Sequence, residues 1–217
     1  THEQIESEIE MILGLTKELY EKFGFQNFKA RISIRDPKHP EKYFGDNGLW
    51  KKAEEKLISS VQRWTNEYFI GEGEAAFYGP KIDIMVEDAI GREWQLTTVQ
   101  LDFTQPENFD MTYTGEDGKM HRPAVLHVAI FGSVERFLGI IIEHYAGAFP
   151  AWLAPVQAII LPVSEKFNEY AVKLAKQLEE KGIRYEVDDS SETLGKKIRG
   201  AEMMKIPYII VVGEKEE

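Results

Sequence analysis

At 217 residues, with 43% apolar and 29% charged side chains, the chain has the make-up of one large or two smaller globular domains that bury a core without covalent staples. Its formal charge of −11 argues against non-specific coating of nucleic acid, although a local basic site is compatible with it because salt screens charge beyond ~8 Å. The absence of cysteine excludes disulfides and any thiolate zinc site completed by this chain alone, and fits a cytoplasmic protein; no apolar run approaches the ~18 residues of a membrane span, and the acidic first residues lack the form of a signal peptide.

In chain order, residues 1–24 read as an amphipathic helix, with Ile5, Ile9, Ile12, Leu19 and Phe23 near the helical period. Thr1 and Gln4 have the spacing of a capping box, and Gly24 suits the stop. A chain that starts on a cap is expected to be cut from something longer. Phe28 to Ile34 alternates as a half-buried strand, and residues 48–61 form a second helix. Lys81 to Glu87 and Glu93 to Phe103 are strand-like and predict an antiparallel hairpin across Gly91. A turn follows at Glu116 to Lys119, then a strand from Val125 to Phe131 and a helix from Val134 to Tyr145. This order predicts an α+β domain on an antiparallel sheet. Pro150 to Pro155 reads as a short rigid connector. Beyond it, strands at 156–163, 184–188 and 208–212 alternate with helices at 164–181 and 193–204, a βαβαβ run that predicts a mostly parallel, helix-covered sheet.

Several residues invite a chemical reading. Arg136 stands in the first turn of the helix after Gly132-Ser133, where the helix dipole disfavours a cation unless it helps hold an anionic ligand. A surface arginine paired with a glutamate is the plainer alternative. His127 lies in an apolar strand, where a lone histidine is more often a satisfied core residue than a metal ligand. Tyr78-Gly-Pro-Lys81 is turn chemistry leading into a strand. In Trp94 to Phe103, alternation sends Gln95, Thr97 and Val99 to one face and Leu96, Thr98 and Gln100 to the other. Lys196, Lys197 and Arg199 make a basic local face, which by itself is most often merely solvated.

Together these segments resemble the class II aminoacyl-tRNA synthetases, and within them the threonyl branch. Val125 to Ile142 resembles the strand-to-helix motif 3, and His127-x-Ala129-x-x-Gly-Ser133-x-x-Arg136-Phe is the threonyl form of it. Phe77 to Ile82 and Trp94-Gln-x-x-Thr-x-Gln-x-Asp-Phe103 resemble two further blocks of that branch. Asp188 to Arg199, Ile206-Pro-Tyr and Val212 to Glu216 resemble the anticodon-binding domain shared by class IIa enzymes. The resemblance implies a partial catalytic core over 1–149, a linker at 150–155 and a truncated anticodon-binding domain over 156–217.

It also implies roles. Arg136 would be the catalytic arginine over the adenine and γ-phosphate of ATP, with Gln95, Thr98 and Ser133 beside the nucleotide. Tyr78, Lys81, Gln100 and Ala129 would line the threonine pocket. His127 would be one of three protein ligands of a catalytic zinc, the other two lying upstream. Arg199 and Glu216 would touch the anticodon. Val128 departs from the arginine usual after the histidine, and Thr97 from a usual glycine or serine. The implied reaction is activation of threonine with Mg-ATP and transfer to tRNA(Thr) by a cytoplasmic homodimer. Motifs 1 and 2 would precede Thr1, so this piece alone is expected to be inactive. Two alternatives remain open: a non-catalytic paralogue whose residues 154–217 bind tRNA, and a prolyl or other class IIa synthetase.

Overall fold

The structure, a computed structural model, describes residues 1–102 and 104–216. The chain divides into two compact units, Thr1–Ile140 and Ile141–Glu217.

The first unit is a sheet with helices on one face. Helix α1 (Ile5–Lys22) buries Ile5, Ile9, Leu13, Thr16 and Tyr20, a stripe with the helical repeat. Leu13, Thr16 and Tyr20 thus take the core positions expected of Ile12 and Leu19. The helix starts later than expected. Gln4 is its N-cap without a side-chain cap bond, and the Thr1 ammonium donates to Gln4 Oε1 at 2.7 Å in place of a capping box. Its end is a Schellman turn: Phe25 N–H donates to Tyr20 O and Gly24 N–H to Glu21 O, with Gly24 at φ 75°.

Strand β1 (Phe28–Ile34) leads through a short 3₁₀ turn at Pro40–Lys42 to α2 (Asn47–Trp64). Asp46 caps α2 by accepting from the N–H groups of Gly48 and Leu49. Next comes β2 (Tyr68–Glu72), a strand that sequence periodicity did not signal. It is an edge strand with no buried residue, so no alternating apolar face marks it. It pairs parallel to β1, with α2 as the crossover. The antiparallel expectation therefore holds for the other pairs but not for this edge.

The hairpin β3 (Lys81–Glu87) and β4 (Glu93–Asp102) is as expected, Phe103 lying outside the described residues. A four-residue helix α3 (Gln105–Asn108) and the small ribbon β5 (Tyr113–Thr114) and β6 (Met120–His121) follow. Then come β7 (Val125–Ala129) and α4 (Val134–His144). The sheet order is β2-β1-β3-β4-β7. One face carries Ala30, Ile32, Ile82, Ile84, Leu96, Val99 and Leu101, all buried. The buried Trp50, Ala53, Leu57 and Val61 of α2 complete this core with α1.

One polar chain crosses that core. Tyr20 is fully buried and donates its hydroxyl to Thr97 Oγ1 at 2.6 Å, Thr97 Oγ1 donates to Ile130 O, and Thr97 N–H donates back to Tyr20 Oη at 3.2 Å. Burial pushes the Tyr20 hydroxyl up to about 12.

In the second unit, β8 (Ala158–Pro162) is buried at every position and lies between β10 (Tyr208–Val212) and β9 (Tyr185–Val187), parallel to both. A 3₁₀ turn at Glu165–Phe167 precedes α5 (Asn168–Glu180), splitting the single helix expected there. Ala171 and Ala175 of α5 pack with Ile160 and Val212. Ala201 of α6 (Leu194–Met203) packs with Ile159 and Leu161. Adjacent β8 residues thus serve different helices, as a sheet covered on both faces requires. The residues at 150–155 are tied down by Arg184, whose guanidinium donates to Trp152 O at 3.0 Å and Ala154 O at 2.7 Å.

Tyr20→Phe removes a donor that Thr97 accepts and the acceptor its N–H uses. It is expected to lower the unfolding free energy by about 1–3 kcal/mol without changing the secondary structure. Urea denaturation followed by far-UV circular dichroism measures this; an unchanged midpoint contradicts it.

Candidate active site

The face of the first unit's sheet opposite α1 and α2 is polar. Strand pairing aligns Arg31, Asp83, Thr98 and Ala129 on one rung, and Ser33, Lys81, Gln100 and His127 on the next but one. Residues two apart share a face, so both rungs present their side chains on the same side.

Gln95 joins them through a bulge. Ile84 lies opposite Thr97 and Met85 opposite Gln95, leaving Leu96 as an extra residue in β4. Simple alternation separates Gln95 from Thr98; the bulge reverses that. Gln95 Nε2 donates to Thr98 Oγ1 at 3.0 Å, while Leu96 and Thr97 are both buried. Thr97, where the family pattern has a smaller residue, faces the core and is the residue held by Tyr20. Gly132 fits against the bulge at φ 64°; a Cβ there would sit 3.1 Å from Leu96 O.

The hub of the face is Asp83, which has no solvent exposure. Its Oδ2 accepts from Arg31 Nη2 at 2.9 Å, Lys81 Nζ at 2.7 Å and Ser33 Oγ at 3.0 Å. Its Oδ1 accepts from Gln95 Nε2 and Thr98 Oγ1, both at 2.8 Å. Arg31 Nη2 also donates to Gln95 Oε1 at 2.7 Å. Burial alone would raise the Asp83 pKa, but hydrogen bonds from Lys81, Arg31 and Thr98 outweigh it and hold the carboxyl below its usual range.

On the neighbouring rung, Tyr78 Oη donates to Gln100 Oε1 at 2.7 Å, and the Tyr78 and His127 rings lie 6.3 Å apart. Tyr78 is placed by Gly79: a Cβ there would lie 1.6 Å from Leu101 O, so only glycine lets the loop press onto β4. His127 Nε2 faces Asp102 Oδ2 at 2.8 Å. Asp102 is itself held, its Oδ1 accepting from the N–H groups of Thr104 and Gln105. With hydrogen on Nε2, the Nδ1 lone pair is the donor atom, and a carboxylate behind a histidine is the usual support of a metal ligand. His127 therefore fits one position of a zinc site. Among the described residues no three His, Asp or Glu side chains come together as such a site.

Beyond β7, Ser133 Oγ accepts from Arg136 N–H at 3.3 Å, and the exposed Arg136 guanidinium lies 6.0 Å from the centre of the Trp94 ring. Trp94 immediately precedes Gln95. The structure thus brings Tyr78, Lys81, Gln95, Thr98, Gln100, His127 and Ala129 onto one sheet face, with Ser133 and Arg136 in the segment that continues from β7. Arg199 and Glu216 belong to the second unit. Arg199 is exposed on α6, and Glu216 turns back so that its Oε2 accepts from Gly213 N–H at 3.0 Å. The basic face expected around Arg199 is smaller than its sequence suggests. Lys197 is 6% exposed and donates to Asp188 O at 2.9 Å, and Lys196 pairs with Glu192 at 2.6 Å.

Sequence reasoning assigned no role to Arg31, Ser33, Asp83 or Asp102. The alternation of Lys29, Arg31 and Ser33 with Ala30, Ile32 and Ile34 carried the signal of a polar sheet face. Nothing in it marked Asp83 as the point of convergence.

Residues 1–145 match the family model described as tRNA synthetase class II core domain (G, H, P, S and T). The chain belongs to the class II tRNA synthetases. Residues 157–217 match the anticodon binding domain model. The fold is thus a class II core segment followed by an anticodon-binding domain. The chain is 51% identical over 99% of its length to the threonine–tRNA ligase of Chloroherpeton thalassium, and 49% identical over its whole length to that of Thermus thermophilus. It spans about a third of the length of these curated relatives, 32% and 33%. Among solved structures, it superposes on the RNA binding domain of threonyl-tRNA synthetase from Cryptosporidium parvum with a TM-score of 0.92 at 38% identity, covering 100% of this chain and 53% of that one.

The lowered pKa of Asp83 has a consequence in acid. Its contribution to stability is fully present above the unfolded carboxylate value of ~3.9 and is lost as pH falls through the folded value. The wild type minus Asp83→Asn difference in unfolding free energy should therefore be constant near neutrality and shrink below about pH 4. Urea titrations across that range test it; a difference independent of pH would contradict it.

Proposed function

We propose that this chain is the part of a threonine–tRNA ligase that carries the motif 3 arginine, one zinc ligand and most of the strands under the amino-acid pocket. The observation that carries the reading is the convergence of Tyr78, Lys81, Gln95, Thr98, Gln100 and His127 on one sheet face, in a chain half identical to threonine–tRNA ligases. The reaction is threonine plus ATP to threonyl-adenylate, then transfer to tRNA(Thr). The threonine carboxylate attacks the α-phosphorus in line and pyrophosphate leaves, so catalysis is mainly positioning and charge stabilisation.

In this reading Arg136 covers the adenine and reaches the γ-phosphate, its planar fork suiting both tasks. Gln95, Thr98 and Ser133 border the nucleotide. Tyr78, Lys81, Gln100 and Ala129 line the threonine pocket, with the Tyr78–Gln100 hydrogen bond fixing the Gln100 amide. His127, oriented by Asp102, holds one position of the zinc. Zinc, if bound there, would supply Lewis-acid chemistry to a substrate hydroxyl, which threonine has and valine lacks. Residues 1–149 form the catalytic part, 150–155 the connector and 156–217 the anticodon-binding part, where Arg199 and Glu216 meet tRNA. The whole enzyme works as a cytoplasmic homodimer.

In the complete enzyme, ATP–pyrophosphate exchange should depend on threonine and not on proline, valine or glycine. His127→Ala should abolish both zinc retention, read by elemental analysis, and threonine activation. Unchanged zinc content would remove His127 from the ligand set, and exchange driven by another amino acid would overturn the reading.

A further inference from the structure

We infer that Asp83 is a positioning residue of the active site, one buried carboxylate that sets the orientation of groups on both the nucleotide side and the amino-acid side. The inference rests on the roles proposed above for Gln95, Thr98 and Lys81, and adds a residue to which those roles assign nothing.

The argument is one of hydrogen-bond capacity. A carboxylate has about four lone-pair sites. Asp83 uses Oδ1 for Gln95 and Thr98 and Oδ2 for Arg31, Lys81 and Ser33. A side-chain amide can be turned end for end with little change in shape, and its partners decide which end is nitrogen. At Gln95 both ends are decided. The nitrogen faces two acceptors, Asp83 Oδ1 at 2.8 Å and Thr98 Oγ1 at 3.0 Å, and the oxygen faces Arg31 Nη2 at 2.7 Å. Reversing the amide would set oxygen against carboxylate and NH₂ against guanidinium. Arg31 can hold the oxygen end because Asp83 anchors the same guanidinium through Nε and Nη2. On the other side, Lys81 Nζ bonds the carboxylate two residues along its own strand, which pins a long flexible side chain while leaving two N–H donors for a ligand.

The placement of Asp83 is equally determined. Its Cα lies between Arg31 of β1 and Thr98 of β4 in the sheet register, and it is fully buried. A buried ion pair kept only for stability can often be replaced as a whole by apolar packing. This one is surrounded by residues that all face the polar side of the sheet. Fixing both substrate-facing sides through one ion couples them, so a change at Asp83 acts on both substrates while a change at either neighbour acts on one.

The test uses the complete enzyme, with ATP–pyrophosphate exchange at a temperature well below unfolding. Asp83→Asn is expected to raise the KM for ATP and the KM for threonine, each by about tenfold or more, with a smaller change in kcat. Arg31→Met, which leaves the Lys81–Asp83 pair in place, is expected to raise the KM for ATP while leaving that for threonine within about twofold. Combined with Asp83→Asn, Thr98→Val should add less than its separate effect, as residues of one network do. A purely structural role would lower the melting temperature and leave both KM values unchanged in folded protein, and that outcome overturns the inference.

A second measurement does not depend on turnover. In ¹⁵N spectra the Gln95 side-chain amide protons should exchange slowly with water and resonate away from free-glutamine positions in the wild type, and should exchange faster and shift toward those positions in Asp83→Asn. If they stay unchanged in the variant, Asp83 does not set the amide and the inference falls while the threonine reading stands. If wild-type enzyme shows no threonine-dependent exchange, the functional reading falls and the inference with it.

Discussion

A single inserted residue in β4 decides what the sheet can present. Without the bulge at Leu96, Gln95 would point into the core with Thr97 and Val99, and Asp83 Oδ1 would keep only Thr98. With it, three strands place donors from five residues around one carboxylate. The bulge is held from below as well. Tyr20 and Thr97 satisfy each other inside the apolar layer, Thr97 reaches on to Ile130 O, and Gly132 closes over Leu96. The same element thus joins the hydrophobic support, the polar face and the turn that leads to Ser133 and Arg136. A bulge beside an active site commonly re-aims a side chain in this way.

The two faces of the sheet follow different rules. The covered face is governed by area: apolar residues of α1 and α2 bury against alternate strand positions, and moderate changes of shape are tolerable. The open face is governed by pairing, since each polar group that loses its partner there pays the full desolvation penalty. Asp83 and Asp102 do the same job at different places. Each is a buried carboxylate fully engaged with neighbouring donors, and each orients a residue that faces the proposed substrates. Gly79 serves the same end by geometry alone, letting the Tyr78 loop lie on the carbonyl of Leu101.

Much of this was legible in the sequence, for identifiable reasons. Periodic elements such as β1, β3, β4 and α2 are marked by burial on one side, and β10 by a continuous apolar run. The Gly24 stop follows from left-handed backbone at the helix end, at φ 75°. β2 was not legible because an edge strand with no buried residue leaves no apolar signature. The bulge was not readable as a fact, because alternation counts residues and a bulge breaks the count. The conflict between strict alternation and the resemblance, which sets both Gln95 and Thr98 beside the nucleotide, called for either a bulge or backbone contacts in place of side-chain ones. Asp83 was invisible as a hub because its partners come from β1, β3 and β4, and no local pattern records convergence. Lys197 misled for the opposite reason. A lysine beside other cations looks solvated, yet its stem and ammonium close over the ends of β8 and β9.

The order of strands in the second unit bears on how the chain is made. β8, buried at every position, is the middle strand of three, and both of its neighbours come later in sequence. During synthesis it emerges with two open edges and two bare faces. The first helix to cover it is α5, and the second edge closes only when Tyr208–Val212 has left the ribosome. Until then Ala-Ile-Ile-Leu is an unpaired β-prone run of the kind that recruits other chains. The proline that ends it, Pro162, shortens that exposed ladder by one donor, and the charged Glu165 and Lys166 just beyond it act as gatekeepers for the interval in which the strand has no partner.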